Sequence, residues 1–446
     1  MAAGQIKIAA IPVANIQLTK ARALKIEMHI FNPYARSVMI SKMTRNCRTG
    51  WAAFFPPGKA VIASFFRACS FRRTNYAGAM NEPEALEFIG ENEVRWRGHT
   101  LVYFSGCDYF RLARNPRLAA AAIASLKKNG LNVAASRRTT GNHKIYAQLE
   151  NELAEFFGPE TAVLLPDGYF APLAVTQALA GEFTHAFADE LAHGALFDAA
   201  RMLDCPLKQF NHRDAGSLKK WLGRAGPKAR PLILTDGLFA HDGSVAPLRE
   251  YLKLLPRGGA ILVDDAHGAG VLGALGRGTL EFERVTRHRI IQCVTLSKAF
   301  GAYGGAVLAS RELREKILAR SWAFIGTTPL PPPLAGAALA SLKIMRTGKL
   351  KRIKLFQNLA YVRKAFRAAG RDISETPGPI IRWPAMNEAH TAKLKAQLLA
   401  AGIYPPFLKY SKASGPGVFR LVISSEHTRA QLDNLITTLT ASGTTP

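Results

Sequence analysis

The sequence predicts an α/β fold: a mostly parallel sheet covered by helices on both faces, followed by a smaller α+β C-terminal domain. Three observations carry this. From about residue 117, short apolar runs of strand length alternate with helix-like segments. The strand runs are mostly continuous apolar stretches rather than alternating ones, as expected of strands buried on both faces. No uninterrupted apolar stretch reaches the ~18 residues of a membrane helix, so the 48% hydrophobic content of the 446 residues reads as core.

Taken in order, 116–128 reads as a helix and 150–157 as the end of another, closed by Gly158-Pro159. Strand-length runs follow at 161–165, 184–188, 232–235, 260–263, 290–296 and 305–309. Helix-like stretches lie between or after them at 171–179, 195–203, 217–222, 248–254 and 311–320. Pro329 to Pro333 is a rigid break. A long helical stretch runs from 334 to about 345, and the remainder holds a strand at 419–423 and a last helix at 429–439. We expect an N-terminal arm over 81–130, a large domain over 131–333 and a small domain over 334–446. In such a sheet, ligands bind outside the carboxyl ends of the strands.

Residues 1–80 differ from the rest. They hold 12 Lys and Arg against one acid, Glu27, and Pro56-Pro57-Gly58 breaks their one apolar stretch. We expect this basic extension to lie outside the fold. Translation starting at Met80 accounts for it, as does a targeting segment or an accessory segment. The whole chain carries a net charge of +27, with the basic residues of the body spread along helical stretches. It shows no long basic run, no aromatic-interleaved RNA motif and no helix-turn-helix in 1–80, so no nucleic-acid or membrane partner is expected; a positive funnel for an anionic cosubstrate is the alternative to a solvated surface. Five scattered cysteines without a CxxC pair argue against a zinc site or a disulfide framework, so we expect no metal. They suit a reducing, cytoplasmic compartment.

The chemistry gathers in two runs, Val263-Asp264-Asp265-Ala266-His267 and Thr295-Leu296-Ser297-Lys298-Ala299-Phe300-Gly301. A lysine among small and hydroxyl residues at a strand exit suits a Schiff base, and Asp264 ends an apolar strand. Together they are what pyridoxal phosphate needs: an amine for the aldehyde and an acid to keep the ring nitrogen protonated. Asp265 is expected to point away, because neighbours on an extended chain face opposite sides. Gly168-Tyr169, after Asp167, opens a helix where free N–H groups can meet a phosphate. Tyr169 or His193 could lay a ring on the cofactor, and His267 could bond its hydroxyl. Gly268, Gly270, Gly273, Gly276 and Gly278 are neither a GxGxxG after a first strand nor a Walker loop. They read as a tight loop near the site.

These residues carry a resemblance. Ser136-Arg137, Gly141, Leu149-Glu150, Gly168-Tyr169, Asp189, His193, Thr235-Asp236-Gly237, Asp242-Gly243, the 263–278 run, Lys298-Ala299-Phe300-Gly301, Thr328, Arg420 and His427-Thr428 match in order and spacing from about Tyr103 to the C-terminus. In these the chain resembles the α-oxoamine synthases, pyridoxal-phosphate enzymes of fold type I that condense an amino acid with an acyl thioester. The resemblance implies that Lys298 anchors the cofactor and later moves the α-proton. It implies that Asp264 pairs with the ring nitrogen, His267 with the ring hydroxyl, and that His193 stacks on the ring. Gly168, Tyr169 and Thr295 would hold the phosphate, with Thr328 reaching in from a partner subunit of a homodimer with shared sites. Arg420 would bind the amino-acid carboxylate. Alanine is the favoured amino acid, and either coenzyme A or a carrier protein could bring the acyl group. His193 or His267 could polarise the thioester carbonyl.

Five positions depart from the family's pattern. Cys107 replaces an asparagine, Tyr146 a histidine, Asp167 a serine, Asp236 a glutamate and Ala240 a serine. They leave cofactor binding in place and bear on the choice of substrates. A different reaction on the same fold, such as transamination, stays open at this point. So does a non-catalytic nucleic-acid-binding regulator, which would need a DNA-binding motif that 1–80 does not show.

Overall fold

The computed structural model describes residues 84–409 and 417–441. The expectations for residues 1–80 therefore lie outside the described residues. The described chain opens with β1 (Glu87–Phe88), β2 (Glu93–Trp96) and β3 (His99–Tyr103). In α1 (Pro116–Asn129), Pro116 sits in the first turn, where a missing N–H is no loss. α2 (Lys144–Phe157) stops at Gly158, whose φ of 79° lies in the left-handed region that ends helices.

Strands and helices then alternate as the sequence predicts. They run β4 (Thr161–Leu165), α3 (Phe170–Ala178), β5 (His185–Asp189), α4 (Gly194–Ala200), β6 (Leu207–Phe210) and α5 (Ala215–Ala225). β7 (Pro231–Asp236), α6 (Leu248–Leu254), β8 (Ala260–Asp264), α7 (Thr279–Phe282), β9 (Ile290–Thr295) and β10 (Gly305–Ala309) follow, then α8 (Arg311–Arg320) and α9 (Trp322–Ile325). β4 to β10 form one seven-stranded sheet in the order β4-β10-β9-β8-β7-β5-β6. The run from β9 to β6 is parallel throughout, and β10 alone runs against its neighbours.

Both faces of this sheet are covered, because successive side chains of a strand point to opposite sides. Val163, Leu232 and Leu234 pack with Val175, Leu196 and Ile317 of the flanking helices. Their strand neighbours turn the other way: Leu164 meets Leu149 and Leu153, and Ile233 meets Leu218 and Tyr251. One buried ion pair ties a flanking helix to the sheet. Arg137 donates to Glu150 at 2.6 Å, and the backbone N–H of Leu164 in β4 donates to the same carboxylate at 2.9 Å. The Arg137 and Glu150 of the sequence pattern are thus a structural clamp.

The proline-rich break turns out to be a helix start. α10 (Pro332–Arg346) takes Pro332 and Pro333 into its first turn and packs against α1 and α2. α11 (Lys349–Ala368), β11 (Ile380–Pro384), α12 (Glu388–Ala400), β12 (Ile403–Tyr404), β13 (Phe407–Leu408), β14 (Val418–Val422) and α13 (Arg429–Thr440) complete the chain. β11, β14 and β13 form an antiparallel sheet whose Phe419 and Leu421 pack with Leu359, Phe366 and Leu432. β12 pairs in parallel with β3, so the first described strands share a four-stranded sheet with the C-terminal part. No described helix is long and apolar enough to cross a membrane.

Candidate active site

The chemistry-bearing residues leave the carboxyl ends of the parallel strands, where the helix-covered sheet opens. Asp264 is the last residue of β8 and pairs in register with Asp236, the last of β7. His267 lies three residues beyond Asp264. Thr295 ends β9, and Lys298 follows it. His193 begins α4 after β5, and Gly168 precedes α3 after β4.

The centre of the site is a buried hydrogen-bonded line. Lys298 Nζ stands 2.9 Å from His267 Nε2, and His267 Nδ1 stands 2.7 Å from the hydroxyl of Tyr109. Burial holds the His267 imidazole well below its usual range, with the lysine charge adding to the effect. A neutral ring has one donor and one acceptor. An ammonium at Lys298 therefore donates to Nε2, and Nδ1–H is directed to Tyr109. Burial likewise pushes the Tyr109 phenol well above its usual range.

Two carboxylates flank this line. Burial, and then the neighbouring Asp264, push the Asp236 carboxyl well above the ordinary range, while the His193 N–H donates to it at 2.9 Å. Of the two carboxyls, Asp236 is the one disposed toward its neutral form. Asp264 accepts from the Ala266 N–H at 3.1 Å. That leaves carboxylate capacity for a cationic ring N–H.

Asp265 does point away, as expected. It is fully buried and accepts from the Thr279 N–H at 2.8 Å, the Thr279 hydroxyl at 2.6 Å and the Gln292 amide at 2.6 Å. Burial raises its carboxyl to about 6. Two glycines of the run are explained by this carboxylate. A Cβ on Gly268 would sit 2.1 Å from Asp265 Oδ1, and one on Gly278 2.0 Å from Oδ2; Gly237 is excluded at 2.4 Å in the same way. These glycines close around a buried acid rather than around a ligand.

The expected phosphate end is a cradle that a side chain would fill. A Cβ on Gly168 would lie 2.8 Å from Thr295 Cβ and 3.0 Å from its hydroxyl. Gly168→Ala is therefore expected to lower the melting temperature, since overpacking costs about 1–3 kcal/mol, and to weaken cofactor binding. Thermal denaturation and a cofactor titration check this, and wild-type values in both would refute it. The Tyr169 side chain turns outward to Asp198 and is 43% exposed. The backbone N–H groups of Tyr169 and Phe170 already donate to Asp167.

The remaining residues fall in three groups. Arg420 is buried, donates to the Ala240 carbonyl at 2.5 Å and approaches Cys107 Sγ at 3.8 Å, so two of the departing positions contact one guanidinium. His193 caps α4, with Nδ1 accepting from the Ala195 N–H at 3.3 Å; its ring meets Tyr169 edge-on. Thr328 is exposed in the loop between α9 and α10, outside the bonded line. Tyr146 lies in the core under the Arg137 guanidinium. Among the described residues, no group of three His, Cys, Asp or Glu could hold a metal ion. The sequence reading gave no role to Tyr109 or to Asp236 as the partner of Asp264. Their positions at Cys107-Asp108-Tyr109 and at a strand end were the available signals.

The residues fit pyridoxal phosphate at its aldehyde and its ring. Lys298 offers the amine, Asp264 a carboxyl for the ring nitrogen, and Gly168 a bare backbone beside Thr295. Comparison with known proteins agrees. The family model described as aminotransferase class I and II matches residues 104–439. A putative 8-amino-7-oxononanoate synthase of Desulforudis audaxviator is 35% identical over 373 residues, covering 83% of this chain and 96% of the relative. An 8-amino-7-oxononanoate synthase of Acidithiobacillus ferrooxidans is 35% identical over 350 residues, covering 78% and 89%. Among solved structures, a serine palmitoyltransferase of Sphingomonas wittichii superposes with a TM-score of 0.77 at 26% identity, covering 86% of this chain and 96% of that one. The 8-amino-7-oxononanoate synthase of Francisella tularensis gives 0.67 at 26% identity, covering 76% and 97%.

Proposed function

Because the chain belongs to the aminotransferase class I and II family, and within it to the α-oxoamine synthases, we propose that Lys298, His267, Asp264 and Arg420 carry out its reaction. The chain is a pyridoxal-phosphate-dependent C-acyltransferase that joins an amino acid to an acyl thioester. The observation that carries the assignment of residues is the 2.9 Å approach of Lys298 Nζ to His267 Nε2, one strand end away from Asp264.

Bound pyridoxal phosphate supplies an aldehyde for amines and an electron sink when the Cα–H bond breaks. The protein supplies the rest. Asp264 would pair with the protonated ring nitrogen. Lys298 Nζ, which would hold the aldehyde, would serve as the base for the α-proton once freed by the incoming amino acid. His267 holds that amine in place through Nε2, and its own orientation is fixed by Tyr109. Buried Arg420 faces the amino-acid carboxylate. His193, tied by its backbone to Asp236 and by Nδ1 to α4, would stack on the cofactor ring. Gly168, the Tyr169 backbone and Thr295 would hold the phosphate. His193 or His267 polarises the thioester carbonyl as the thiol leaves.

We propose alanine and a pimeloyl thioester as substrates, which makes the product 8-amino-7-oxononanoate and places the reaction in biotin biosynthesis. We also propose a cytoplasmic homodimer in which the exposed Thr328 reaches the phosphate of the partner's site. The test follows thiol release from pimeloyl-coenzyme A by the full chain saturated with cofactor, offered L-alanine, glycine or L-serine singly. Release that depends on alanine is expected. No release with any of the three, from protein that binds the cofactor, would overturn the substrate assignment.

A further inference from the structure

The phosphate end of the site carries an acid where its ligand carries negative charge. Asp167 Oδ1 accepts from the N–H of Tyr169 at 2.9 Å and from that of Phe170 at 3.2 Å. These are the donors at the start of α3 that an anion would seek. The backbone around them is tightly confined. A Cβ on Gly305 would lie 2.0 Å from the Asp167 carbonyl oxygen and 2.7 Å from the Gly168 nitrogen, and Gly168 itself abuts Thr295. The 167–168 peptide is therefore wedged between β10 and the end of β9. The side chain is less confined than the backbone: Asp167 is half-buried, and among the described residues no salt bridge adds to its two hydrogen bonds. The nearest carboxylate along α4, Asp198, accepts from the Tyr169 hydroxyl and is itself paired with Arg201.

We propose that Asp167 is an internal competitor of the cofactor phosphate, and that it sets how much the enzyme gains from that phosphate. This rests on the reading of the site as a pyridoxal-phosphate site. Without the cofactor, the carboxylate caps α3 in the place of an anion. When the cofactor enters, Asp167 swings outward, releasing the Tyr169 and Phe170 N–H groups, but its charge stays near a group carrying close to two negative charges. The enzyme consequently discriminates weakly between pyridoxal phosphate and pyridoxal, and holds the cofactor chiefly through Lys298 and the ring contacts. Asp167 is a positioning and specificity residue, and it takes no part in moving the α-proton.

The test is the affinity of the full-length protein for pyridoxal phosphate and for pyridoxal, each titrated by the absorbance of the Lys298-linked chromophore. Wild type is compared with Asp167→Asn and Asp167→Ser. Asparagine can keep the cap and removes only the charge; serine caps through its hydroxyl. Both variants are expected to bind pyridoxal phosphate at least about tenfold tighter while pyridoxal affinity moves less than about threefold. A helix-cap role alone would leave both variants close to wild type, or change the affinity for both ligands together. A ratio of affinities unchanged from wild type in both variants overturns the proposal while leaving the cofactor assignment intact. Absence of any chromophore that depends on Lys298 would overturn both.

Discussion

Lys298→Ala is expected to lose turnover by roughly 10⁴-fold, the upper end of what a positioned acid–base group contributes, and to lose the covalent hold on the cofactor as well. The two losses share one atom, Nζ, which sits 2.9 Å from His267. The fold should survive. Lys298 is itself half-exposed, whereas the buried anchors of the segment, Leu296, Ala299 and Phe300, remain in the core. A second consequence concerns His267. The lysine charge is the second cause, after burial, that holds its imidazole below the usual range. Removing that charge should let the imidazole titrate closer to its normal range, and NMR of the ring protons reads this directly. Thiol release and borohydride fixation of the cofactor complete the test. More than a tenth of wild-type turnover in the variant would remove Lys298 from its role.

Asp264→Asn should lower turnover by roughly 10²–10³-fold, the loss expected on removing one preorganised electrostatic contact in a buried site. Asparagine is nearly isosteric and can still accept from the Ala266 N–H, so the loop keeps its shape while the counter-charge disappears. The adjacent Asp236 provides the control. It is buried and disposed toward its neutral form, so Asp236→Asn should disturb the charge of the site less. We expect its effect on turnover to be at least about tenfold smaller than that of Asp264→Asn. Steady-state rates of the two variants with saturating cofactor decide the matter. Equal losses would mean that the two acids act as one unit.

The sheet was legible where burial is symmetric. Strands covered on both faces are largely apolar rather than alternating, with polar residues mainly at their ends, and six of the seven show it. The seventh, Leu207–Phe210, lies at the sheet edge, and its Lys208 and Gln209 are exposed, so it has no such signature. α11 was missed although its buried Leu355, Leu359, Val362 and Phe366 are spaced by four, three and four. Its seven basic residues obscured that stripe. At the site, residues carrying their own chemistry stood out: Lys298, Asp264 and His267. Tyr109 did not, because its role consists of one contact with a residue 158 positions away. Asp167 was recognisable as unusual, but only coordinates show which N–H groups it occupies.

The Asp265 carboxylate has a consequence for how this site comes into being. Its three donors come from Thr279, beyond the glycine loop, and from Gln292, in the middle of β9. Gln292 reaches it only once β8 and β9 are in register, and the glycines at 237, 268 and 278 accept it only when β7 and the loop are also in place. His267, two residues along, thus owes its fixed position to a sheet in register. The geometry of the site is thereby coupled to completion of the sheet, and a substitution at any of the three glycines should register as lost order at His267.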